Sequence, residues 1–373
     1  MNAQLITELT IALEPTYPYY LGDGILSHFP EHLAQHSFDK IIVVSSAVPF
    51  ELFGRSWLEM LTQCVPHVSH LLIDDREMKK NWDTLANLCE ALMEQGATRD
   101  TILIAVGGGV VGNVVGLAAG LIFRGIRYIE VPTTLMAQTD SVLSRKQAIN
   151  GATGKNQFGL YHTPLFVWAD VAYTRHEPLR QIRSAIVEAV KNGLVNDPAW
   201  LDELSCGLGQ GVEGLRDNLR DLTLRMVKSK LGILAKDPSE RGFAIVLEYG
   251  HTFGHAIEWL SRGSVLHGEG VAIGMCAAAH LSRSLGFMTQ TVLDLHYEVL
   301  NGLLGVPVDL PLDFDPADIY RTMLRDNKRG QAGLGFLLLE EPGRMHRSEG
   351  SYLTHVGAQE AVATLEAIRA VAA

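Results

Sequence analysis

The chain predicts an α/β fold in two parts: a mainly parallel-sheet domain over residues 1–178, then a mainly α-helical domain over residues 179–373. Three observations carry that expectation. Strand-like and helix-like segments alternate through the first half in the order β-loop-α-β, a glycine run sits in the central crossover, and the pattern turns helical after Glu177-Pro178. At 373 residues, 47% hydrophobic and 20% charged, the chain has length enough for two cores.

In order along the first part, residues 41–44 (IIVV) are a short β-branched run and residues 71–73 (LLI) another, followed by the acidic turn Asp74-Asp75. Trp82, Leu85, Leu88 and Leu92 recur at three- and four-residue steps, which predicts a helix, with Gly96 placed for its C-cap. Residues 101–106 (TILIAV) then run into Gly107-Gly108-Gly109-Val110-Val111-Gly112-Asn113 and an apolar stretch ending at Arg124-Gly125, and IRYIEVPTT follows as a strand stopped by Pro132. Such an order builds a Rossmann-like sheet that takes ligands at its carboxyl edge. The glycine loop satisfies GxGxxG, whose bare backbone lets a pyrophosphate approach helix N-terminal amides. A tight crossover needing glycine only for packing reads the same way. Glu130, inside the following strand, is a poor ribose ligand.

In the second part, segments around 182–196, 213–235, 251–262, 268–286 and 315–326 read as helices, with breaks at Asn196-Asp197-Pro198 and Asp237-Pro238. Residues 330–335 read as a loop before a strand-like segment at 336–340. The second part is organised around residues 247–269, LEYGHTFGHAIEWLSRGSVLHGE. His251 and His255 are four apart and share a helix face, and His267 follows a break at Gly263, so three imidazoles can converge. Glu188, on another predicted helix, could complete a set of divalent-ion ligands. In a chain of 14 histidines an HxxxH pair also describes ordinary helix residues, but Gly250, Gly254 and Gly268 permit close backbone approach around the rings. Thr252 stands where the HExxH zinc-protease motif needs its glutamate, which excludes that chemistry.

The net charge of -11 and pI near 5.7 argue against nucleic acid or an anionic membrane as partner. Four cysteines without CxxC spacing suggest buried thiols in a reducing compartment. The amino terminus lacks a basic n-region, and the longest apolar run, residues 114–123, is shorter than the ~20 residues of a bilayer span. A cytoplasmic location is expected. Arg124, Lys146, Lys155, Lys191, Lys230 and Lys328 flank the glycine and histidine motifs. Singly each reads as a solvated charge, and together they suit a phosphorylated small molecule.

The segments GGGVVGN, RGIRYIEVPTT, DSVLSRKQAIN, GKNQFG, IVEAVKNG and EYGHTFGHAIE, ending in HGEGVAIGM, are similar to the sugar-phosphate cyclase superfamily, whose best-known member is 3-dehydroquinate synthase. The resemblance runs from about residue 77 to 328. It implies a dehydroquinate synthase-like fold with an NAD-binding α/β domain and a helical metal- and substrate-binding domain, NAD+ and one divalent metal (Zn2+ or Co2+) as cofactors, a sugar phosphate as substrate, and a homodimer. It places the metal ligands on Glu188, His251 and His267, with His255 either supporting a ligand from behind or handling protons. Cofactor contacts fall on the segment from Asp75 through Glu77 to Lys80, on Gly109, Val110, Val111, Gly112 and Asn113, on Thr133 and Thr134, and on Lys146 and Lys155. Substrate handling falls on Arg124, Asp140, Lys146, Asn156, Lys191, Lys230 and Lys328.

Two departures from 3-dehydroquinate synthase bear on the substrate. Its DSSVGGK loop is DSVLSRK here, and the arginine and asparagine that precede its GHTFGH are Ala244 and Glu248. That arginine would grip a substrate carboxylate, so its loss, with a carboxylate added, disfavours an acidic substrate. DSVLSxKQAxN with LEYGH resembles the branch that cyclises glucose 6-phosphate to the precursor of 2-deoxystreptamine antibiotics, with Glu248 as candidate proton-transfer group. The sedoheptulose 7-phosphate branch generally has proline in place of the second histidine, which here is His255. Ser45 stands where relatives often carry an aspartate for the adenosine ribose, leaving NAD against NADP open.

Overall fold

The computed structural model describes residues 7–11, 16–237, 242–325, 329–330 and 333–369. The chain forms two compact units, Met1–Ala152 with Asn156–Glu177 and Leu219–Val227, and Thr153–Lys155 with Pro178–Asn218 and Lys228–Ala373. Among the described residues no helix is long and apolar enough to cross a membrane.

Among its described residues the first unit holds nine strands: β1 (Thr7–Ile11), β2 (Tyr17–Gly22), β3 (Ile41–Ser45), β4 (Val68–Leu72), β5 (Ile102–Gly107), β6 (Arg127–Pro132), β7 (Lys146–Ile149), β8 (Phe158–Tyr161) and β9 (Val167–Asp170). Seven form one sheet in the order β1-β2-β9-β6-β5-β3-β4, parallel throughout except for the β1–β2 hairpin. Alternation sorts the residues of β3 between two cores. Ile41 and Val43 join Trp57 and Trp168 on one face, while Ile42 and Val44 join Leu88, Leu92 and Val115 on the other. β7 and β8 pair as a separate ribbon.

Three helices matter here: α1 (Arg55–Cys64), α2 (Trp82–Glu94) and α3 (Gly109–Leu121). Burial of Leu85, Leu88 and Leu92 reproduces the periodicity of α2, and Gly96 after it sits at φ +71. β4 departs from the sequence pattern. It begins at Val68 and takes in Ser69 and His70, because parallel pairing with β3 supplies bonds that propensity alone does not. Pro132 ends β6 from inside, as its last residue.

The second unit is mainly helical. Its principal helices are α4 (Leu179–Asn196), α5 (Leu219–Leu234, shared with the first unit), α6 (His251–Ser261) and α7 (His267–Ser284). The break at residues 196–198 proves to be a helix start. Asp197 accepts the Trp200 amide at 3.1 Å and Pro198 opens a further helix, Pro198–Leu208. The expected helix at 213–235 is interrupted by a 3-10 turn at Arg216–Asn218, and that at 315–326 is shorter, Pro316–Met323. The strand-like segment at 336–340 divides between Gly333–Leu337 and Leu339–Glu341.

α6 and α7 meet backbone to backbone. A Cβ at Gly274 would lie 2.0 Å from the Gly250 carbonyl oxygen, and one at Gly254 2.7 Å from that of Gly270. Likewise a Cβ at Gly268 would lie 1.9 Å from the Ser184 oxygen of α4. Only glycine fits these crossings. They hold the three helices that bear the predicted metal ligands.

Candidate functional site

His251 and His267 are each the first residue of a helix, α6 and α7, and Glu188 lies mid-way along α4. Their ligand atoms lie within 4.8 Å of one another. Glu188 is 2% exposed, and its Oε1 is buried without a hydrogen-bond partner. Nε2 of His251 lies 3.6 Å from it and Nε2 of His267 3.7 Å. Those distances are long for hydrogen bonds, yet close to the ~3.4 Å expected between donors sharing one tetrahedral ion. An orphaned buried carboxylate oxygen facing two imidazole nitrogens fits a divalent cation.

The hydrogen bonds around the cluster leave the right nitrogens for such an ion. His251 Nδ1 lies 3.2 Å from the Tyr249 carbonyl, which can only accept, so Nδ1 carries the proton and Nε2 the lone pair. His267 Nδ1 lies 2.9 Å from Glu258 Oε2 and is fixed the same way. The other Glu258 oxygen is ion-paired with Lys155, each side chain 9% exposed. Tyr249 is itself anchored, its buried hydroxyl 3.0 Å from His296 Nε2.

Charge follows this geometry. Burial works to raise the Glu188 carboxyl, but its ion pair with Lys191, together with His267 and Lys230, brings it below the usual range and keeps it anionic. Burial, reinforced by Lys191, holds His251 well below the usual histidine range, the neutral form a metal needs. Burial also opposes protonation of His267, where the Glu258 carboxylate prevails and raises it. The His267 side chain is 28% exposed against 8% for His251, so the cluster opens on the His267 side.

His255 stands beside the trio, its ring 5.0 Å from that of His251 and 5.9 Å from that of His267. Glu248, partly exposed, ends the 3-10 turn Phe243–Glu248 and acts electrostatically on His251. Ala244 is buried in the same turn, its amide bonded to Asp237 at 3.0 Å. Lys191 and Lys230 are both buried. Lys155, expected at the cofactor, is ion-paired with Glu258, and Lys328 lies outside the described residues.

In the first unit, β5 ends at Gly107 and Gly108 leads into α3, whose N-terminus has neither a side-chain cap nor an acidic residue in its first turn. Beside it lies a shallow cleft lined by Gly107, Gly108, Gly109, Gly112, Glu130 and Ser141. A Cβ at Gly108 or Gly109 would stand 3.4 Å from Thr134 Cγ2 or 3.5 Å from Ser141 Oγ, in ordinary contact, and would narrow the approach to the loop. Uncapped amides over a cradle kept open by missing Cβ atoms fit a dinucleotide pyrophosphate. Val111 is buried in the core, so only its amide faces the loop, and Asn113 Oδ1 accepts the Ala148 amide at 3.3 Å. The Thr133 amide is bonded to Gly107 O at 2.9 Å and Thr134 Oγ1 caps Ala137 at 3.2 Å, which seats both threonines beside the loop.

The remaining predicted residues of the first unit fall into smaller groups. Glu77 accepts from Asn150 at 2.9 Å, and Lys80 donates to Asn156 Oδ1 at 2.6 Å, joining an expected cofactor residue to an expected substrate residue. Asp75 accepts from Ser46 at 2.6 Å. Asp140 is partly exposed and Lys146, at the start of β7, is exposed. Arg124, expected at the substrate, is exposed just beyond the far end of α3, about 20 Å from the glycine loop by helical rise.

Sequence reasoning passed over Glu258, Tyr249 and Ser184. Glu258 carried a usable signal, being seven residues after His251 on the same helix face.

The fold and the two sites together define a class, and the comparisons agree with it. Residues 70–184 match the 3-dehydroquinate synthase N-terminal family and residues 185–329 the 3-dehydroquinate synthase C-terminal family. The chain belongs to the 3-dehydroquinate synthase family. More particularly, it is 39% identical over 343 residues to 2-deoxy-scyllo-inosose synthase of Streptomyces kanamyceticus, covering 91% of this chain and 88% of that one. It is 35% identical to the enzyme of the same name from Niallia circulans, covering 91% and 93%. A crystal structure of 2-deoxy-scyllo-inosose synthase complexed with carbaglucose-6-phosphate, NAD+ and Co2+ superimposes with a TM-score of 0.87 at 32% identity, over 97% of this chain and 99% of that one.

Proposed function

We propose that this chain is a phosphate-eliminating, carbocycle-forming lyase, a 2-deoxy-scyllo-inosose synthase that converts glucose 6-phosphate to 2-deoxy-scyllo-inosose. It acts as a cytoplasmic homodimer in the biosynthesis of aminoglycoside antibiotics. The sugar loses the elements of phosphoric acid and nothing else, so the reaction carries no net oxidation. NAD+, when bound, supplies a hydride acceptor that is restored before release, and the divalent ion supplies Lewis acidity.

Each residue then has a task. Glu188, His251 and His267 hold the ion, with Lys191 keeping Glu188 anionic and Glu258 setting the His267 tautomer. The uncapped amides of Gly109, Val110 and Val111 hold the dinucleotide pyrophosphate, with Gly112, Asn113, Thr133, Thr134, Asp75, Glu77 and Lys80 around it. His255 relays the proton of the hydroxyl that is oxidised. Lys146, Lys191, Lys230 and Lys328 supply positive charge for the departing phosphate, and Arg124, Asp140 and Asn156 position the sugar. Glu248 moves protons during ring opening and aldol closure.

Substrate choice rests on one observation: Glu248 acts on His251 from a turn in which Ala244 is buried where 3-dehydroquinate synthase has an arginine. A heptulosonate would bring its carboxylate to another carboxylate, and a neutral hexose phosphate avoids that conflict. The test is incubation with glucose 6-phosphate, NAD+ and Zn2+ or Co2+, with the product identified and phosphate counted against reduced nicotinamide. Phosphate in large excess over reduced cofactor, with 2-deoxy-scyllo-inosose as product, is the expected result. One reduced cofactor per phosphate, or preferential turnover of the heptulosonate, overturns the reading. Glu248→Gln is expected to retain metal and dinucleotide while losing most turnover.

A further inference from the structure

His296 lies in α8 (Gln290–Tyr297) and is fully buried, yet no step of the proposed reaction uses it. Its Nδ1 lies 2.7 Å from the carbonyl of Val292, one turn back along the helix. A carbonyl only accepts, so Nδ1 carries the proton and Nε2 the lone pair. Nε2 lies 3.0 Å from the Tyr249 hydroxyl, which therefore donates to it. Burial brings the His296 ring down to about 4, so it stays neutral and keeps that lone pair at neutral pH. Tyr249 is fully buried as well. Its amide donates to the Val246 carbonyl at 3.0 Å, tying it to the turn that carries Glu248, and its own carbonyl accepts from His251 Nδ1 at 3.2 Å. Between Tyr249 and His251, Gly250 sits at φ +79, and a Cβ there would lie 2.8 Å from the Met275 amide nitrogen of α7. One end of the Tyr249–Gly250 peptide is thus wedged against α7, and the other end is only as fixed as Tyr249 itself.

We infer that His296 is a positioning residue for the metal site: it holds Tyr249 by the hydroxyl, and so fixes the carbonyl that aims His251 Nε2 at the divalent ion. Two arguments separate this bond from packing alone. At 3.2 Å the His251 bond to that carbonyl is at the long end of the usual range, so a small shift of Tyr249 releases the ring. A phenylalanine beside an apolar residue of similar shape fills a core about as well as a hydrogen-bonded tyrosine and histidine, so what the polar pair adds is direction rather than volume. Holding the second nitrogen of a metal-bound histidine is what sets the direction of the first. This inference rests on the divalent-ion reading of Glu188, His251 and His267 and adds a residue that acts on them from outside the ligand set.

Zinc competition against a chromophoric chelator, with the visible spectrum of the Co2+-loaded full chain, tests it without turnover. His296→Leu should weaken zinc about tenfold and shift the Co2+ bands, which report ligand direction. His296→Gln offers a side-chain oxygen to the Tyr249 hydroxyl, and should restore the wild-type spectrum and bring affinity to within about threefold of wild type. Tyr249→Phe, which removes a single oxygen, should reproduce the leucine variant. The double variant should bind zinc no more weakly than either single one, since both break the same bond. A leucine variant with zinc affinity within about twofold of wild type and an unshifted Co2+ spectrum overturns the inference, even where urea denaturation shows it less stable. Losses that multiply in the double variant overturn it too. Should the leucine variant fail to fold, Tyr249→Phe decides by the same two readings. A wild-type chain that binds neither Zn2+ nor Co2+ would overturn the metal reading itself, whereas metal binding indifferent to His296 leaves that reading standing and removes this one.

Discussion

Glu258 joins a donor imidazole to a buried cation, and replacing it by glutamine separates two effects that a deletion would merge. Glu258→Gln keeps the size and an acceptor oxygen for His267 Nδ1, 2.9 Å away, but removes the charge. Zinc affinity should then fall 10- to 100-fold, roughly 1.4–2.7 kcal/mol, the usual cost of losing a carboxylate behind a metal-bound histidine. Separately, Lys155 loses the Glu258 carboxylate at a site where both side chains are 9% exposed, and breaking a buried ion pair from one side destabilises a fold by about 3 kcal/mol. Adding Lys155→Met removes that cation, so the double variant should recover most of its stability and none of its zinc affinity. Zinc competition against a chromophoric chelator reads the first quantity, and urea denaturation in excess chelator reads the second. Zinc affinity of Glu258→Gln within twofold of wild type would refute the orienting role. Recovery of affinity in the double variant would refute it too, by tracing the loss to the stranded lysine.

Three further outcomes are expected. Burial lifts the Glu130 carboxyl to about 8 despite bonds from Gln147 and Tyr128, so this acid stays protonated in the folded chain while its unfolded form ionises near 4.5. Its contribution to stability is complete below pH 4.5 and is lost as pH rises toward 8, by up to about 1.4 kcal/mol per pH unit; Glu130→Gln should flatten denaturation midpoints over that window, and parallel pH profiles would sink the idea. Gly274→Ala, whose Cβ would lie 2.0 Å from the Gly250 oxygen, should cost about 3 kcal/mol or more and weaken zinc binding together with stability; a wild-type melting temperature would contradict the backbone contact. Tyr249→Phe leaves His296 Nε2 without its 3.0 Å partner and should cost about 1–3 kcal/mol by urea denaturation, whereas an unchanged midpoint would show the bond to be dispensable.

Legibility in the sequence followed the range of the interactions. β5, the glycine loop and β6 could be read because a fully buried parallel strand is a run of apolar residues and its crossover a run of glycines. Half of β4 could not, since Ser69 and His70 are strand residues only by virtue of β3 beside them. Asp197-Pro198 announced a boundary, but the same residues end one helix and start the next, and only the Asp197 cap shows which. At the metal cluster, the four-residue step from His251 to His255 is local and visible, whereas Glu188, a candidate on a separate helix, is tied to the set only by family resemblance. The pairing of Lys155 with Glu258 crosses 103 residues and leaves no trace in any local pattern. Glu258 shares a helix face with His251, seven residues before it, but nothing local shows that the fold buries that face.

The backbone contact between α6 and α7 also limits how such an enzyme can change its chemistry. Where Gly274 meets Gly250 there is no layer of side chains whose repacking could widen or narrow the gap by degrees, so the distance between the two histidines is inherited all but unaltered. Variation has to enter elsewhere, through loops and turns that border the rings. The turn carrying Ala244 and Glu248 is such a place, being a short 3-10 segment outside both helices. Laboratory evolution toward other sugar phosphates would do best to randomise that turn and leave the glycines alone, since libraries spread over the helix crossing would mostly return chains that no longer hold an ion.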